Sequence, residues 1–318
     1  MKLPAIFYNK TFLKSFFVGV FLVYIIFLAA PFSFPTNDVV IVPEGATLSE
    51  AAKILDDEGV IKNQFLFKVF AVLMPGDSGV LWGTYFFPNR DNLFTVVWRT
   101  TRGSFGIDPI RVTIFEGQHN REVAGVLANA LPEFDKELFL EEAQALEGYL
   151  FPDTYYVLPT QQTSEVIEIL NTTFKQKTKD LQLAAEEKGI DWNDVIIMAS
   201  LLEEEARQLE TKKKIAGILW KRLEIGMPLQ VDAVFTYILD INGLDITLDD
   251  LEVDSPYNTY KYAGLPIGPI SNPGLDSIEA AIYYEETPYL FYLSDNSGVT
   301  HYAEDFETHK ANKAKYLR

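Results

Sequence analysis

An uncharged apolar segment near the N-terminus is the feature that most constrains how this chain can fold. Ser15 to Pro35 contains no charged residue, and its centre is dominated by Phe, Val, Ile and Leu. A helix needs roughly 20 apolar residues to cross the hydrocarbon core of a membrane. We therefore predict a transmembrane helix over residues 15–35. A cleaved signal peptide is the alternative, but its apolar region is shorter, and Ala29-Ala30-Pro31 is a poor cleavage site.

The charges around this segment predict its orientation. Lys2, Lys10 and Lys14 precede it, and no acidic residue occurs before Asp38. Basic residues favour the cytoplasmic side of a membrane. We expect residues 1–14 in the cytoplasm and the bulk of the chain outside it, as a single-pass protein of the inner (plasma) membrane.

Composition excludes several classes of function. The formal net charge is −18, which argues against a nucleic-acid partner because phosphate binding needs clustered Lys and Arg. The chain has no Cys, which excludes disulfides and thiol catalysis. Its three His have no metal-motif spacing. With 318 residues and 48% hydrophobic composition, the chain is long enough to bury a proper core.

Residues 38–145 contain an internal repeat. Val40 to Gly45 and Val112 to Gly117 are both short β-type runs that end in Glu-Gly, and a helical apolar pattern follows each run. We predict two small β-α units in which the Glu-Gly pair forms a structural turn.

A helix near the middle of the chain carries three consecutive glutamates. Asp191 or Asn193 is a suitable cap for a helix from Val195 to about Gln208. On this helix, Glu203 shares an apolar stripe with Ile196, Ala199 and Ala206. Desolvation on such a stripe favours the protonated form of a carboxyl group, as a general acid requires. A solvated face is the alternative, because consecutive glutamates near a helix end usually face water.

Five further segments carry a family resemblance. They read LEGYLFPDTY (146–155), ASLLEEE (199–205), GMPLQVD (226–232), SPYNTY (255–260) and GLPIGPISNPG (264–274). Together with the N-terminal segment, they occur in the order found in the YceG-like endolytic murein transglycosylases, the lytic transglycosylase G type. The chain resembles this family over nearly its whole length.

The resemblance implies an α+β fold and an activity. It implies LysM-like β-α modules over residues 38–145, after the transmembrane helix, and a mostly helical catalytic domain with a short sheet over 146–318. The implied enzyme cleaves the MurNAc–GlcNAc bond of peptidoglycan strands to give 1,6-anhydroMurNAc ends, which terminates or trims nascent strands. No cofactor is needed, and peptidoglycan synthases are expected partners besides the glycan.

The family motif also implies site residues. Its catalytic glutamate corresponds to Glu203 and its second acid to Glu205. The chain departs from the family where Asp232-Ala233-Val234 replaces Asp-Pro-Thr and where Lys221-Arg222-Leu223 replaces Asn-Arg-Leu. Neither change removes the proposed acid, but the first puts the role of the loop after Asp232 in doubt.

Other residues of these motifs are candidates for substrate binding or support: Gln230, Asp232, Asp153, Tyr257, Asn258, Tyr260 and Asn272. Structural roles stay open for them, as helix or turn caps for the two aspartates and as a turn former for Asn272. Two alternative functions also stay open. One is a non-catalytic peptidoglycan-binding scaffold for cell-wall synthases, and the other is a muramidase that uses water.

Overall fold

A computed structural model describes residues 10–74, 79–132, 134–239 and 246–317. The chain forms two compact units, Met1–Pro109 and Ile110–Arg318. Lys2 lies outside the described residues.

The apolar N-terminal segment is divided between a helix and the core of the first unit. Helix α1 covers Lys10–Val23, and a π-helical turn covers Tyr24–Leu28. Ala29 is extended, and Phe34 packs edge-on against Phe87 at 5.3 Å between ring centroids. Within the described part of the chain, no helix is long and apolar enough to cross a membrane. The prediction of a transmembrane helix over residues 15–35 is therefore wrong, because the end of the segment leaves the helix to pack against the first sheet.

The first repeat is a β-α-α-β group. Strand β1 pairs antiparallel with β2, and Val40 lies opposite Tyr85. The core of the first unit is made of buried aliphatic and aromatic side chains, among them Leu55, Phe67 and Val97. The elements of this unit after α1 are β1 (Asp38–Val42), α2 (Leu48–Asp57), α3 (Gln64–Leu73), β2 (Gly83–Phe87) and α4 (Leu93–Arg102).

The second repeat, in the second unit, has the same topology. Strand β3 pairs antiparallel with β4, and Val112 lies opposite Tyr155. The elements are β3 (Ile110–Thr113), α5 (Asn120–Ala130), α6 (Lys136–Glu142), a 3-10 turn (Gln144–Leu146) and β4 (Thr154–Val157). Each repeat is larger than the predicted β-α unit because a strand needs a partner for its backbone hydrogen bonds. The assignment of these groups as LysM-like is not supported.

The remainder of the second unit is mostly helical. Helix α8 is buried from Val195 to Leu202 and packs against α9 and α11. The elements are α7 (Thr163–Lys188), α8 (Trp192–Glu205), α9 (Leu209–Glu224), α10 (Ala233–Leu239), a 3-10 turn (Asp250–Glu252), α11 (Leu275–Ile282), the hairpin β5 (Phe291–Ser294) and β6 (Thr300–Ala303), and α12 (Phe306–Tyr316). The predicted fold class is thus corrected: the described residues are mostly helical with small two-stranded sheets and no transmembrane helix.

Close packing of α9 makes a prediction about stability. A Cβ atom added at Gly217 would overlap the carbonyl oxygen of Glu285, and the Glu285 N–H donates to the Lys213 carbonyl at 3.0 Å. We expect Gly217→Ala to lower the free energy of unfolding by about 1–3 kcal/mol, because backbone must move.

Gly125 in α5 is the matched control. An added Cβ meets no atom within 4 Å there. Gly125→Ala should raise the free energy of unfolding by about 0.4–1 kcal/mol, since alanine restricts the unfolded chain. Urea denaturation measures both changes, and equal effects at the two positions would contradict the proposed packing.

Candidate active site

Glu203 lies in the last turn of α8, where the helix ends and Ala206 becomes extended. Its side chain is only 9% exposed. One carboxylate oxygen, Oε1, accepts a hydrogen bond from Lys212 Nζ at 2.8 Å. The other, Oε2, accepts from the Gly274 backbone N–H at 2.9 Å and from Ser277 Oγ at 2.7 Å. Three donors from α9 and the start of α11 therefore hold the carboxyl group in one orientation.

These donors correct one part of the sequence argument. Ile196 and Ala199 are fully buried, so this part of the predicted apolar stripe is confirmed. The helix ends at Glu205 instead of about Gln208, and Ala206 is extended, so the stripe stops before Ala206. The carboxyl group at its end nevertheless has a cationic partner, and the N-terminus of a helix adds partial positive charge. Its surroundings are thus polar, not the desolvated apolar surface that the stripe predicted.

Two glycines allow the loop after β3 to approach this carboxyl group. A Cβ atom at Gly117 would lie 2.7 Å from Glu204 Oε1, and one at Gly274 would overlap the carboxyl group of Glu116. Burial raises the pKa of Glu116, and the nearby charge of Glu203 raises it further while Lys212 opposes the rise. Glu116 therefore belongs to the surroundings of Glu203.

Sequence reasoning missed three of these residues. Glu116 belongs to a Glu-Gly pair that we interpreted as a structural turn. The repetition of this pair at Glu44-Gly45 and Glu116-Gly117 was the signal available in the sequence. Lys212 lies among three consecutive lysines that look like a solvated face. Ser277 carries no local signal, because only the tertiary fold brings α11 to the end of α8.

An open cavity of about 1030 Å³ lies beside Glu203. A single-ligand site typically measures about 300–1,000 Å³, so the cavity has room for sugar rings. Glu116, Glu203, Glu204 and Glu205 line it, together with Ile114, Phe115, Gly117, Ala206, Arg207, Gln208, Thr211, Ser294, Ser297, Gly298 and Thr300. Among the described residues, no group of His, Cys, Asp or Glu is arranged to hold a metal ion.

A second cavity of about 470 Å³ adjoins the first. Glu204, Glu205 and Ser294 line both cavities. Four predicted site residues meet in the second cavity: Glu205, Gln230, Asp232 and Tyr260. The Tyr260 hydroxyl donates to Asp232 Oδ1, and Gln230 has a positive φ of 50°.

The glutamates after Glu203 have unusual acidities. Desolvation at the cavity wall, together with the negative charge of Glu203, raises the pKa of Glu204 to about 7, although part of this side chain is exposed. Burial also raises the pKa of Glu205 to about 7, and Asp232 adds to the effect. A hydrogen bond from Tyr292 and the charge of Arg222 act in the opposite direction on Glu205. Both carboxyl groups therefore exchange protons near neutral pH.

The other predicted site residues lie outside both cavities. Asn258 is buried, and its Nδ2 donates to the carbonyls of Leu251 and Val253 at 2.9 and 2.8 Å. Tyr257 is half-buried and packs against Tyr237 at 5.0 Å between ring centroids.

Asp153 makes a local hydrogen bond, and Asn272 holds distant backbone segments together. Asp153 accepts a hydrogen bond from the Thr154 N–H at 2.7 Å, at the start of β4. Asn272 is fully buried, and its Oδ1 accepts from the Leu150 N–H at 2.9 Å. Its Nδ2 donates to the Gln118 carbonyl at 2.9 Å and to Asn120 Oδ1 at 3.0 Å.

The hydrogen bonds of Asn272 predict a large effect on stability. Asn272→Leu keeps a similar volume but leaves the Leu150 N–H without its acceptor. The Gln118 carbonyl and Asn120 Oδ1 each lose the donor that Asn272 provides. Each buried polar group that loses its partner costs about 1–3 kcal/mol. We expect a loss of several kcal/mol in urea denaturation, against a change within about 0.5 kcal/mol for Asn312→Leu, whose amide makes a longer bond of 3.4 Å. Equal effects would show that the Asn272 bonds add little.

Known proteins resemble the chain over most of its length. The YceG-like family model matches residues 40–315. The endolytic murein transglycosylase of Bacillus subtilis (strain 168) is 29% identical over 303 residues, covering 87% of this chain and 84% of the relative. The endolytic murein transglycosylase of Streptococcus pneumoniae (strain D39) is 25% identical over 318 residues, covering 87% of this chain and 58% of the relative.

A solved structure is also similar. The crystal structure of a putative YceG-like protein from Listeria monocytogenes has a TM-score of 0.59 and 29% identity, and covers 86% of this chain and 98% of that one. Because the family model matches far more than half of the sequence, the chain belongs to the YceG-like family.

Proposed function

We propose that this protein is an endolytic peptidoglycan transglycosylase. It cleaves the MurNAc–GlcNAc bond within glycan strands and leaves 1,6-anhydroMurNAc ends. The names of the relatives from Bacillus subtilis and Streptococcus pneumoniae support this activity. The observation that carries the proposal is the Glu203 carboxyl group, which three donors hold at the wall of an open cavity.

One carboxyl group is sufficient for this reaction. Glu203 in its acid form donates a proton to the glycosidic oxygen as the bond from that oxygen to C1 of MurNAc breaks. As a carboxylate, it then takes the proton of the C6 hydroxyl, whose oxygen forms a new bond to C1 of the same sugar. The attack is intramolecular, so it has a high effective molarity and consumes no water. The proton that Glu203 gives away is thus returned at the end of the cycle.

The shape of the site suits an internal bond of a polymer. The two adjoining cavities share Glu204 and Glu205, so a strand bound through both would extend away from Glu203. Tyr260, Gln230 and Asp232 in the second cavity offer an aromatic ring, an amide and a carboxylate to sugar hydroxyls. We assign these three residues to substrate binding and Glu205 to support of the site.

The remaining parts of the proposal concern location and partners. A peptidoglycan substrate places the active site in the cell wall, where the enzyme would terminate or trim new strands. Peptidoglycan synthases as partners, and a place at the plasma membrane, stay predictions. We also propose that residues 38–145 bind glycan and residues 146–318 carry the catalysis.

Deletion of the first unit tests the proposed glycan binding. A chain that begins at Ile110 keeps the second unit whole, with its own core. We expect it to cleave short soluble glycan strands as the full chain does, and to release fewer products from whole sacculi because binding to the polymer is weaker. Mass spectrometry of the digests measures both. Equal cleavage of sacculi by the two proteins would exclude a role for the first unit in glycan binding.

Glu203→Gln tests the catalytic assignment. Gln keeps the size of the side chain but can neither donate nor accept the proton. We expect formation of anhydro ends to fall by at least the roughly 10²–10⁴-fold typical of general acid–base catalysis, with the protein still folded. Glu279→Gln is the matched control, because Glu279 also pairs with a lysine at 2.8 Å but lies outside both cavities. Glu205→Gln should lose an intermediate amount of activity.

The products of the same assay separate the alternatives. Reducing ends in place of anhydro ends would indicate a muramidase that uses water. Binding to sacculi without new ends of either kind would favour the non-catalytic scaffold. Full activity in a folded Glu203→Gln protein would overturn the assignment of Glu203.

A further inference from the structure

Lys212 is a lysine that the fold buries. Its side chain is 3% exposed, and its Nζ lies 2.8 Å from Glu203 Oε1. It comes from the first turns of α9, where its N–H donates to the Gln208 carbonyl at 2.9 Å. Lysine is almost never fully buried in proteins unless it is paired, because its charge loses hydration. A buried lysine at a proposed catalytic carboxyl therefore calls for a functional explanation.

The neighbouring lysine shows what is particular to this pair. Lys213 also forms an ion pair at 2.8 Å, with Glu279, but the two side chains are 21% and 39% exposed. Solvent and salt weaken an exposed pair of this kind. Lys212 and Glu203 are 3% and 9% exposed, so water screens their interaction much less.

The other groups around Glu203 are mostly acidic. Glu116 faces it from the loop after β3, and Glu204 is its neighbour on α8. From α11, Gly274 and Ser277 contribute neutral donors, and Asp276 acts on Glu116. Lys212 supplies the opposing positive charge. Without it, Glu203 would be surrounded by like charges that favour retention of a proton.

We propose that Lys212 is a positioning residue, which fixes the Glu203 carboxyl group and sets the pH range over which the enzyme cleaves glycan. The inference rests on the proposed function. The reaction needs Glu203 to give up a proton and then to take one back. A carboxyl group crowded by acids would be a weaker proton donor in the first step. The charge of Lys212 offsets this crowding, and its hydrogen bond turns Oε1 toward α9 while Oε2 faces α11.

The pH dependence of cleavage tests this role. In full-length Lys212→Met, we expect kcat/KM for anhydro-end formation to fall at least 10-fold, and the alkaline limb of its pH profile to rise by roughly 1–3 units. An adjacent cation shifts a carboxyl group by that amount in the opposite direction. Lys212→Arg keeps the charge, so its limb should stay within about half a unit of the wild type. Lys213→Met should match the wild type in both rate and profile.

Thermal stability gives a readout that does not depend on activity. In Lys212→Met, the ionised Glu203 is buried without its cation, so the protein should bind a proton more readily when folded than when unfolded. Its Tm relative to the wild type should therefore fall as the pH rises from 5 toward 8, because the folded state loses the benefit of the bound proton as the pH rises. The double variant Lys212→Met/Glu203→Gln removes both charges, and this pH-dependent loss should disappear.

The outcomes distinguish this inference from the proposed function. An unshifted alkaline limb in folded, active Lys212→Met would overturn the inference alone, as would a Tm difference that does not vary with pH. A double variant that folds where the single variant does not would support the charge pairing. Failure of both to fold would show that Lys212 serves packing and would overturn the proposal. Absence of anhydro ends with the wild type, or full activity in Glu203→Gln, would overturn the proposed function and this inference with it.

Discussion

The arrangement of the site depends on the buried amide of Asn272. This side chain bonds to Leu150, Gln118 and Asn120, and the Gly117 N–H donates to its backbone carbonyl at 3.0 Å. The loop after β3 is thereby joined to the segment before α11. That contact places the Glu116 carboxyl group over Gly274, whose N–H in turn reaches Glu203. An amide that lines neither cavity thus determines which carboxyl groups surround the proposed acid.

The site concentrates acids and balances them with buried cations. Glu204 and Glu205 have a pKa of about 7 because burial and neighbouring charges oppose their ionisation. Both groups are therefore weaker acids than an ordinary glutamate side chain. Lys212 and Arg222 are 3% and 5% exposed and limit the mutual repulsion. Arg222 is held by the carbonyls of Leu290 and Leu229 at 2.7 and 2.6 Å, which keeps its charge near Glu205.

Local patterns in the sequence predicted local structure well. Asp191 does cap α8, and its apolar stripe is buried, so the position of Glu203 on a helix was predictable. Gln230, Asp232 and Tyr260 come from different motifs and line one cavity. Asn258 and Asn272 come from equally specific motifs, yet they hold backbone segments together. A motif shows that a residue is constrained, but only the packing shows whether the constraint concerns the substrate or the fold.

The wrong membrane prediction and the overlooked role of Lys212 have a common physical origin, because tertiary contacts decide what structure a local sequence pattern adopts. The segment from Ser15 to Pro35 has the length and composition of a membrane span, but its end packs Phe34 against Phe87 and leaves the helix. Lys212 lies in a run of three lysines typical of a solvated face. In the structure, however, its side chain points from α9 into the interior, where it forms an ion pair with Glu203. Phe87 is distant from Phe34 in sequence, and Glu203 lies on a different helix from Lys212, so a helical or apolar pattern by itself does not reveal either contact. The proposed function survives these errors because it rests on the position of Glu203 and on the family to which the chain belongs, and neither depends on how the N-terminal segment packs.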